Sequence, residues 1–266
     1  MIGFFDSGIG GLTVFRRVAK TLKKSDVMYL ADDAFFPFGE KSKKQVLERL
    51  IKGCEFLFQR GCGLVIISCH TASILGSPEV YQWQKQFYPD KVIIDVATAT
   101  VDFVNECYSH FKSQKGIFLM TPSSYDSNFY QNKMHEAGFT GIEFIGNGNL
   151  AKAIENNDKM FLKQTIYYEV KPTLKHDPKE YKFLIFGCTH YPIIKKELRT
   201  FLNADMEFID SSFEVAKKSA VVFFKNPSLI TTGMSDLFYT TGDAKELDRK
   251  VNSVINWVVT SQKIEL

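Results

Sequence analysis

The runs Leu64-Val65-Ile66-Ile67-Ser68-Cys69-His70-Thr71-Ala72 and Phe183-Leu184-Ile185-Phe186-Gly187-Cys188-Thr189-His190-Tyr191-Pro192 decide how this chain reads. In each, four apolar residues end in a small polar cluster that contains Cys, Thr and His. A run of this kind reads as a buried strand that stops at a functional loop. Two such strands in one molecule place a thiol on each side of a cleft. That layout handles a proton on both faces of one carbon.

Outward from the first cluster, apolar runs alternate with helical stretches. Ile2–Phe5 precedes Gly8-Ile9-Gly10-Gly11 and a helical pattern from Leu12 to Leu22. Val27–Leu30 leads into a polar loop, Ala31 to Lys41, and then a helix through Phe58. Leu64–Ser68 leads to Cys69, and Val92–Asp95 closes the set. The order βαβαβαβ predicts a parallel sheet with helices on both faces.

A second set begins at Gly116–Met120, followed by Thr121-Pro122-Ser123-Ser124, a helix start with Pro near the first turn. Ile142–Ile145 is a short strand, Leu150 to Lys171 reads as helical, and Phe183–Phe186 is the strand before Cys188. Phe208-Ile209-Asp210 reads as one more strand and Phe213 to Phe224 as a helix. Phe238–Gly242 and a helix from Ala244 to Ser261 finish the chain. The two sets echo each other: Ile2–Ser7 parallels Gly116–Ser124, and Cys69 parallels Cys188. The expected fold class is α/β, with two related lobes, each a central mostly parallel sheet flanked by helices. The cleft lies between the carboxyl edges of the strands, where ligands of open α/β sheets bind.

Composition narrows the function classes. The chain has 266 residues, 45% of them apolar and 24% charged, which suits one large or two smaller globular domains. The formal charge is only +3, and the Lys pairs Lys23-Lys24, Lys43-Lys44, Lys195-Lys196 and Lys217-Lys218 are scattered among acids. They read as solvated helix faces, not a nucleic-acid surface. No apolar run is long enough to span a bilayer, and the acidic start Met1-Ile2-Gly3-Phe4-Phe5-Asp6 reads as a first strand, not a signal peptide. Five irregularly spaced Cys fit free thiols in a reducing cytoplasm.

The residues also carry a family pattern. Phe5-Asp6-Ser7-Gly8-Ile9-Gly10-Gly11-Leu12, Tyr29-Leu30-Ala31-Asp32 with Pro37-Phe38-Gly39, Cys69-His70-Thr71-Ala72, Thr121 with Ser124, and Gly187-Cys188-Thr189-His190-Tyr191-Pro192 occur together and in order. The chain so resembles the glutamate racemase branch of the aspartate/glutamate racemase superfamily, over essentially its whole length. The resemblance implies a first lobe of residues 1–97 and 208–266, with the C-terminal segment returning to it, and a second lobe of residues 98–207. It implies an isomerase that interconverts L- and D-glutamate without pyridoxal phosphate, metal or any other cofactor. Its D-glutamate would go to peptidoglycan in the bacterial cytoplasm, and the resemblance implies a homodimer.

The chemistry behind that expectation is specific. An α-proton is a very weak acid, so without an electron sink one base is needed on each face of the carbon. Cys69 and Cys188 match the family's pair of bases; a free thiol has a pKa of roughly 8.5, so neighbours must help it act as one. Asp6 and Asp32 are implied on the Cys69 side, Glu155 and His190 on the Cys188 side. A His two residues from a Cys can take the thiol proton. Asp6 is expected against the substrate ammonium. Ser7, the Pro37-Phe38-Gly39 backbone, Thr71, Thr121, Ser124 and Thr189 are expected to serve two substrate carboxylates, since hydroxyls and helix-start amides bind anions without a lysine.

The plainer readings are weighed beside these. Cys54, Cys62 and Cys107 read as small buried hydrophobes, and His110, His135 and His176 as surface residues. A zinc site from Cys69, His70, Cys188 and His190 is disfavoured because adjacent residues on extended backbone point opposite ways and no Cys-x-x-Cys occurs. Gly8, Gly10 and Gly11 permit a tight strand-to-helix turn and do not form a dinucleotide fingerprint. Four site positions depart from the family: His70 for Asn, Phe38 for Tyr, Phe35 for Arg, and Ser124 for Thr. Asp33 also stands where the family has a small residue. His70 is expected to donate to the substrate or, as a cation, to favour the Cys69 thiolate. Two other readings stay open here: a racemase for another acidic amino acid such as aspartate, and a binding or regulatory protein on the same scaffold.

Overall fold

In the computed structural model, which describes residues 1–23, 25–202, 205–229 and 236–266, every paired strand runs parallel to its neighbours. The first lobe is built from β1 (Ile2–Asp6), α1 (Leu12–Thr21), β2 (Val27–Ala31), α2 (Lys43–Gln59), β3 (Leu64–Ile67), α3 (His70–Phe87) and β4 (Val92–Asp95). After α4 (Val96–Cys107) come β5 (Gly116–Met120), α5 (Pro122–Asp126), α6 (Phe129–Glu136), β6 (Ile142–Gly146), α7 (Asn149–Glu155), α8 (Lys159–Thr165), β7 (Phe183–Gly187), α9 (Lys195–Phe201) and β8 (Glu207–Ile209). The chain then returns through α10 (Ser212–Lys225), β9 (Leu237–Thr240), α11 (Ala244–Ile255) and β10 (Gln262–Lys263).

The first sheet has the order β10-β9-β2-β1-β3-β4 and the second β6-β5-β7-β8. Strand for strand, β2-β1-β3-β4 matches β6-β5-β7-β8, so the echo in the sequence is an echo in topology. Both central strands are buried on both faces, as parallel strands under crossover helices must be. Side chains alternate between the two helical layers. Ile2 and Phe4 pack with α1, α10 and α11 through Phe15, Val215 and Leu247, whereas Phe5 faces Leu50 and Leu57 of α2. In the second lobe Leu119 packs with Leu150 of α7, while Phe118 and Met120 pack with Val104 of α4 and Tyr130 of α6.

Four sequence expectations need correction. The strand at 208–210 does not open the segment returning to the first lobe: β8 pairs with β7, Leu184 opposite Phe208, and completes the second sheet. The return begins at α10, which packs on α1 and α4. The helix expected from Leu150 to Lys171 is broken after Glu155. Asn157 takes a positive φ, and Asp158 caps a new helix by accepting from the backbone amides of Met160 and Phe161. The last helix stops at Ile255, where Asn256 adopts the left-handed conformation that ends helices. Cys107, expected to be buried, is exposed at the end of α4, while Cys54 and Cys62 are buried.

Three of the four lysine pairs sit on helices as read, where Lys43 pairs with Glu79, Lys217 with Glu106 and Lys218 with Asp102; Lys23 instead lies in the turn after α1. Lys24 lies outside the described residues. No described helix is long and apolar enough to cross a membrane.

Candidate active site

β1 and β3 are neighbours in one sheet, β5 and β7 in the other, and all four end at the same cleft. Ser7, Cys69, Thr121 and Cys188, each at or just beyond a strand end, line it. With its open mouth the cleft holds about 470 Å³ of empty space. Eleven of the fifteen residues named from sequence are on its wall: Ser7, Pro37, Phe38, Gly39, Cys69, His70, Thr71, Thr121, Cys188, Thr189 and His190. Among the described residues no Lys or Arg lines it. An anionic ligand there meets hydroxyls and imidazoles, and the wall also carries the Glu40 carboxylate, which is paired with Lys152.

The lobes touch across this cleft. Thr71 and Thr121 share a hydrogen bond of 3.0 Å, and the Thr13 hydroxyl reaches the Thr189 carbonyl at 3.2 Å. Gly8 and Gly10 explain the closeness. Neither has a positive φ, so the tight-turn reading is not their reason. A Cβ on Gly8 would collide with the Glu155 carboxylate, and one on Gly10 with the His190 ring. These glycines let the second lobe's side chains pack on the first lobe's backbone.

Around Cys188 the polar groups form a chain. His190 Nδ1 lies 3.7 Å from the Cys188 sulfur, and His190 Nε2 lies 2.8 Å from Glu155 Oε2. Glu155 Oε2 also accepts from the Ile9 amide at 3.0 Å, and Oε1 accepts from Lys250 Nζ at 2.9 Å. Burial alone would disfavour the His190 cation, but its hydrogen bonds to Cys188 and Glu155 prevail and hold its pKa well above the ordinary 6.5. Burial likewise opposes the Glu155 carboxylate, yet His190 and Lys250 hold its pKa down to about 2. Glu155 itself is off the cleft wall, behind His190.

Around Cys69 the surroundings differ. Burial, with the Asp6 carboxylate nearby, pushes the Cys69 thiol up to about 12. The Ser7 hydroxyl, 3.5 Å from the sulfur, and the Ala72 amide partly counter this. Asp6 is fully buried and off the cleft wall, accepting from the Gly8 amide at 2.9 Å. Burial raises its pKa to about 6 against the pull of His190. Asp6, expected against a substrate ammonium, does not line the cleft; its carboxylate lies within electrostatic reach of the Cys69 thiol and 3.4 Å from the Thr189 hydroxyl.

Two more of the named residues stand away from the cleft. Asp32 is buried in a fork–fork pair with Arg49, with the Thr241 hydroxyl at 2.8 Å from Oδ1. It anchors the loop after β2 to α2 and to the returning segment. Ser124 is buried behind Thr121, its hydroxyl 2.9 Å from the Thr121 hydroxyl. His70, at the start of α3, lies on the cleft wall, with Nδ1 2.5 Å from the Tyr130 hydroxyl. Burial lowers its pKa to about 3, so it is neutral, and the expected His70 cation is corrected. Among the described residues no group of three or more His, Cys, Asp or Glu is placed to hold a metal.

Sequence reading missed Lys250, Arg49 and Tyr130. Lys250 had a signal: it interrupts the buried stripe Leu247, Val251, Ile255 of α11. Arg49 likewise sits beside Val46 and Leu50 on the buried face of α2. Nothing in the sequence marks Tyr130 apart from other core aromatics.

Fold and site together define a two-lobed α/β protein that presents one thiol from each lobe to a shared cleft. No family model matches the chain. The glutamate racemase of Aquifex pyrophilus is 30% identical over 244 residues, 90% of this chain and 88% of that protein. Among solved structures, Bacillus anthracis glutamate racemase isoform RacE1 superposes with a TM-score of 0.84 at 24% identity, covering 100% of this chain and 97% of that one. The glutamate racemase of Francisella tularensis subsp. tularensis SCHU S4, in complex with D-glutamate, gives 0.79 at 25% identity, covering 99% and 97%. The chain belongs to the glutamate racemase family.

Proposed function

We propose that the protein interconverts L- and D-glutamate by a two-base mechanism in which Cys69 and Cys188 act on opposite faces of the α-carbon. The observation that carries this is the pairing of one thiol from each lobe in one cleft, with a different proton-handling partner behind each. The Cys188 thiol passes its proton to His190, leaving a thiolate beside an imidazolium. That thiolate takes the substrate α-proton, and the Cys69 thiol delivers its own proton to the opposite face. The reverse direction exchanges the two roles. The thiolate left at Cys69 is met by Ser7 and the Ala72 amide.

Thr71, Thr121 and Thr189 supply hydroxyls on the cleft wall, and neutral His70 supplies a ring nitrogen, for the two carboxylates of glutamate. This fits the D-glutamate bound by the Francisella tularensis relative. D-glutamate for peptidoglycan, made in the cytoplasm, is the role that accords with this activity. The test is circular dichroism of the protein with L-glutamate and, separately, D-glutamate in deuterium oxide. Loss of signal from both enantiomers, with deuterium entering the α-position and both Cys→Ser variants crippled, is the expected result. No loss with glutamate, but loss with aspartate, would overturn the substrate assignment.

A further inference from the structure

We infer that Lys250, on the returning helix α11, is a positioning residue for the Cys188 side: it orients Glu155 across the lobe boundary and sets the proton affinity of His190. The inference rests on the racemase reading above and deepens it. Lys250 does not line the cleft, so it cannot touch a substrate there. Its side chain is only 18% exposed, although it is a lysine on a surface helix. A lysine buried to that degree is uncommon unless paired, and here the partner is Glu155 at 2.9 Å.

The geometry is that of a relay fixed at three points. Glu155 comes from α7 of the second lobe. One carboxylate oxygen takes the Ile9 amide and His190, and the other takes Lys250, so the carboxylate has no freedom to rotate away from the imidazole. Lys250 and Ile9 both belong to the first lobe, so the contact ties the returning segment to the catalytic loop. Charges alternate along the line Lys250, Glu155, His190, Cys188.

Other ionisable groups surround the relay. Glu246, on the same helix, lies 3.9 Å from Lys250. Glu155 is within electrostatic reach of Asp6, Asp33 and Tyr29. Lys250 pairs with Glu155 among these acids, and His190 is the cation acting on Asp6. Without Lys250 the uncompensated carboxylate raises the proton affinity of His190, while Glu155 itself becomes easier to protonate.

The experiment compares the wild type with Lys250→Met, Lys250→Arg and, as a control, Glu246→Gln. Racemisation is followed over pH, and the His190 ring titration is followed by NMR. Lys250→Met is expected to lower kcat at least about tenfold with KM for glutamate little changed, and to move the acid limb upward by about one pH unit. The His190 titration also moves upward. Lys250→Arg restores most of the rate and the position of the limb, and Glu246→Gln stays near wild type. An unshifted limb and unshifted His190 titration in Lys250→Met overturn the inference, whatever the rate. If the wild type does not turn over glutamate, the racemase reading fails, and the His190 titration still decides the role of Lys250.

Discussion

Gly10 of the first lobe lies so close to His190 of the second that a single added carbon would occupy the space of the imidazole. The His190 ring is therefore positioned by a backbone across the lobe boundary, not only by its own loop. Thr189 presses on the same glycine, so one small residue registers the whole Cys188-Thr189-His190 segment.

Gly10→Ala is expected to fold, because the surrounding helix start keeps an ordinary negative φ. The methyl group must push His190 and Thr189 outward. A displacement of about 1 Å in a proton-handling group can cost roughly 100-fold in rate, and kcat is where the loss should fall. Stopped-flow or steady-state circular dichroism checks this, with thermal melting as the control for folding. An alanine variant with wild-type kcat would mean His190 is not held by this contact.

Asp32 leads to a different prediction. It is bound by Arg49 and Thr241 and is absent from the cleft wall. Asp32→Ala leaves the Arg49 guanidinium, itself largely buried, without its carboxylate. Breaking one partner of a buried ion pair costs about 3–5 kcal/mol, so chemical denaturation should show a large stability loss. The double variant Asp32→Ala with Arg49→Met should recover part of it. If Asp32 handled protons directly, the double variant would recover stability and remain inactive. Recovered turnover alongside recovered stability marks Asp32 as an anchor.

The difference between Asp32 and Glu155 shows how far a sequence carries this site. Strand ends are legible because four buried apolar residues followed by a polar cluster have few other meanings, and both thiols emerge from such runs. Which acids reach the thiols is not legible in the same way. Asp32 finds its cation 17 residues on, in α2, and Glu155 finds Lys250 at a separation of 95. Those pairings depend on helix rotation and on which lobe a returning segment joins. The strand at Glu207–Ile209 is the same kind of case: three residues of apolar pattern identify a strand but not the sheet that accepts it. The lysine interrupting the apolar stripe of α11 was visible, but only the fold shows what it faces.

The two thiols should fail differently. With one base removed, the remaining cysteine can still take and return a proton on its own face. Cys69→Ser should then exchange the α-proton of one enantiomer with deuterium and leave the other untouched, and Cys188→Ser should show the opposite preference. Racemisation itself should fall by roughly 100-fold to 10,000-fold in each, the usual range for a lost general acid or base. Proton NMR of each enantiomer in deuterium oxide separates exchange from inversion. Exchange of the same enantiomer in both variants would show that the thiols do not flank one carbon.

His70 gives the protein a pH dependence that an asparagine at this position would not. It is held neutral, its pKa lowered by burial from the ordinary 6.5 to about 3. Between those values the unfolded chain binds a proton that the folded protein refuses, so the stability contributed by neutral His70 is complete above pH 6.5 and is lost as the pH falls. The loss is about 1.4 kcal/mol per pH unit inside that window. Asp6 runs the other way: raised from 3.8 to about 6, it makes the folded protein the tighter proton binder there. Asp6 is present in both the wild type and His70→Asn, so the difference between them isolates the histidine. Urea unfolding at pH 6.5 and pH 4.5 should show the wild type losing roughly 2–3 kcal/mol more than His70→Asn. The variant also gives up the Tyr130 contact and should be the less stable of the two at neutral pH. The two stabilities therefore converge or cross as the pH falls, and parallel curves would mean that His70 takes up its proton in the folded state.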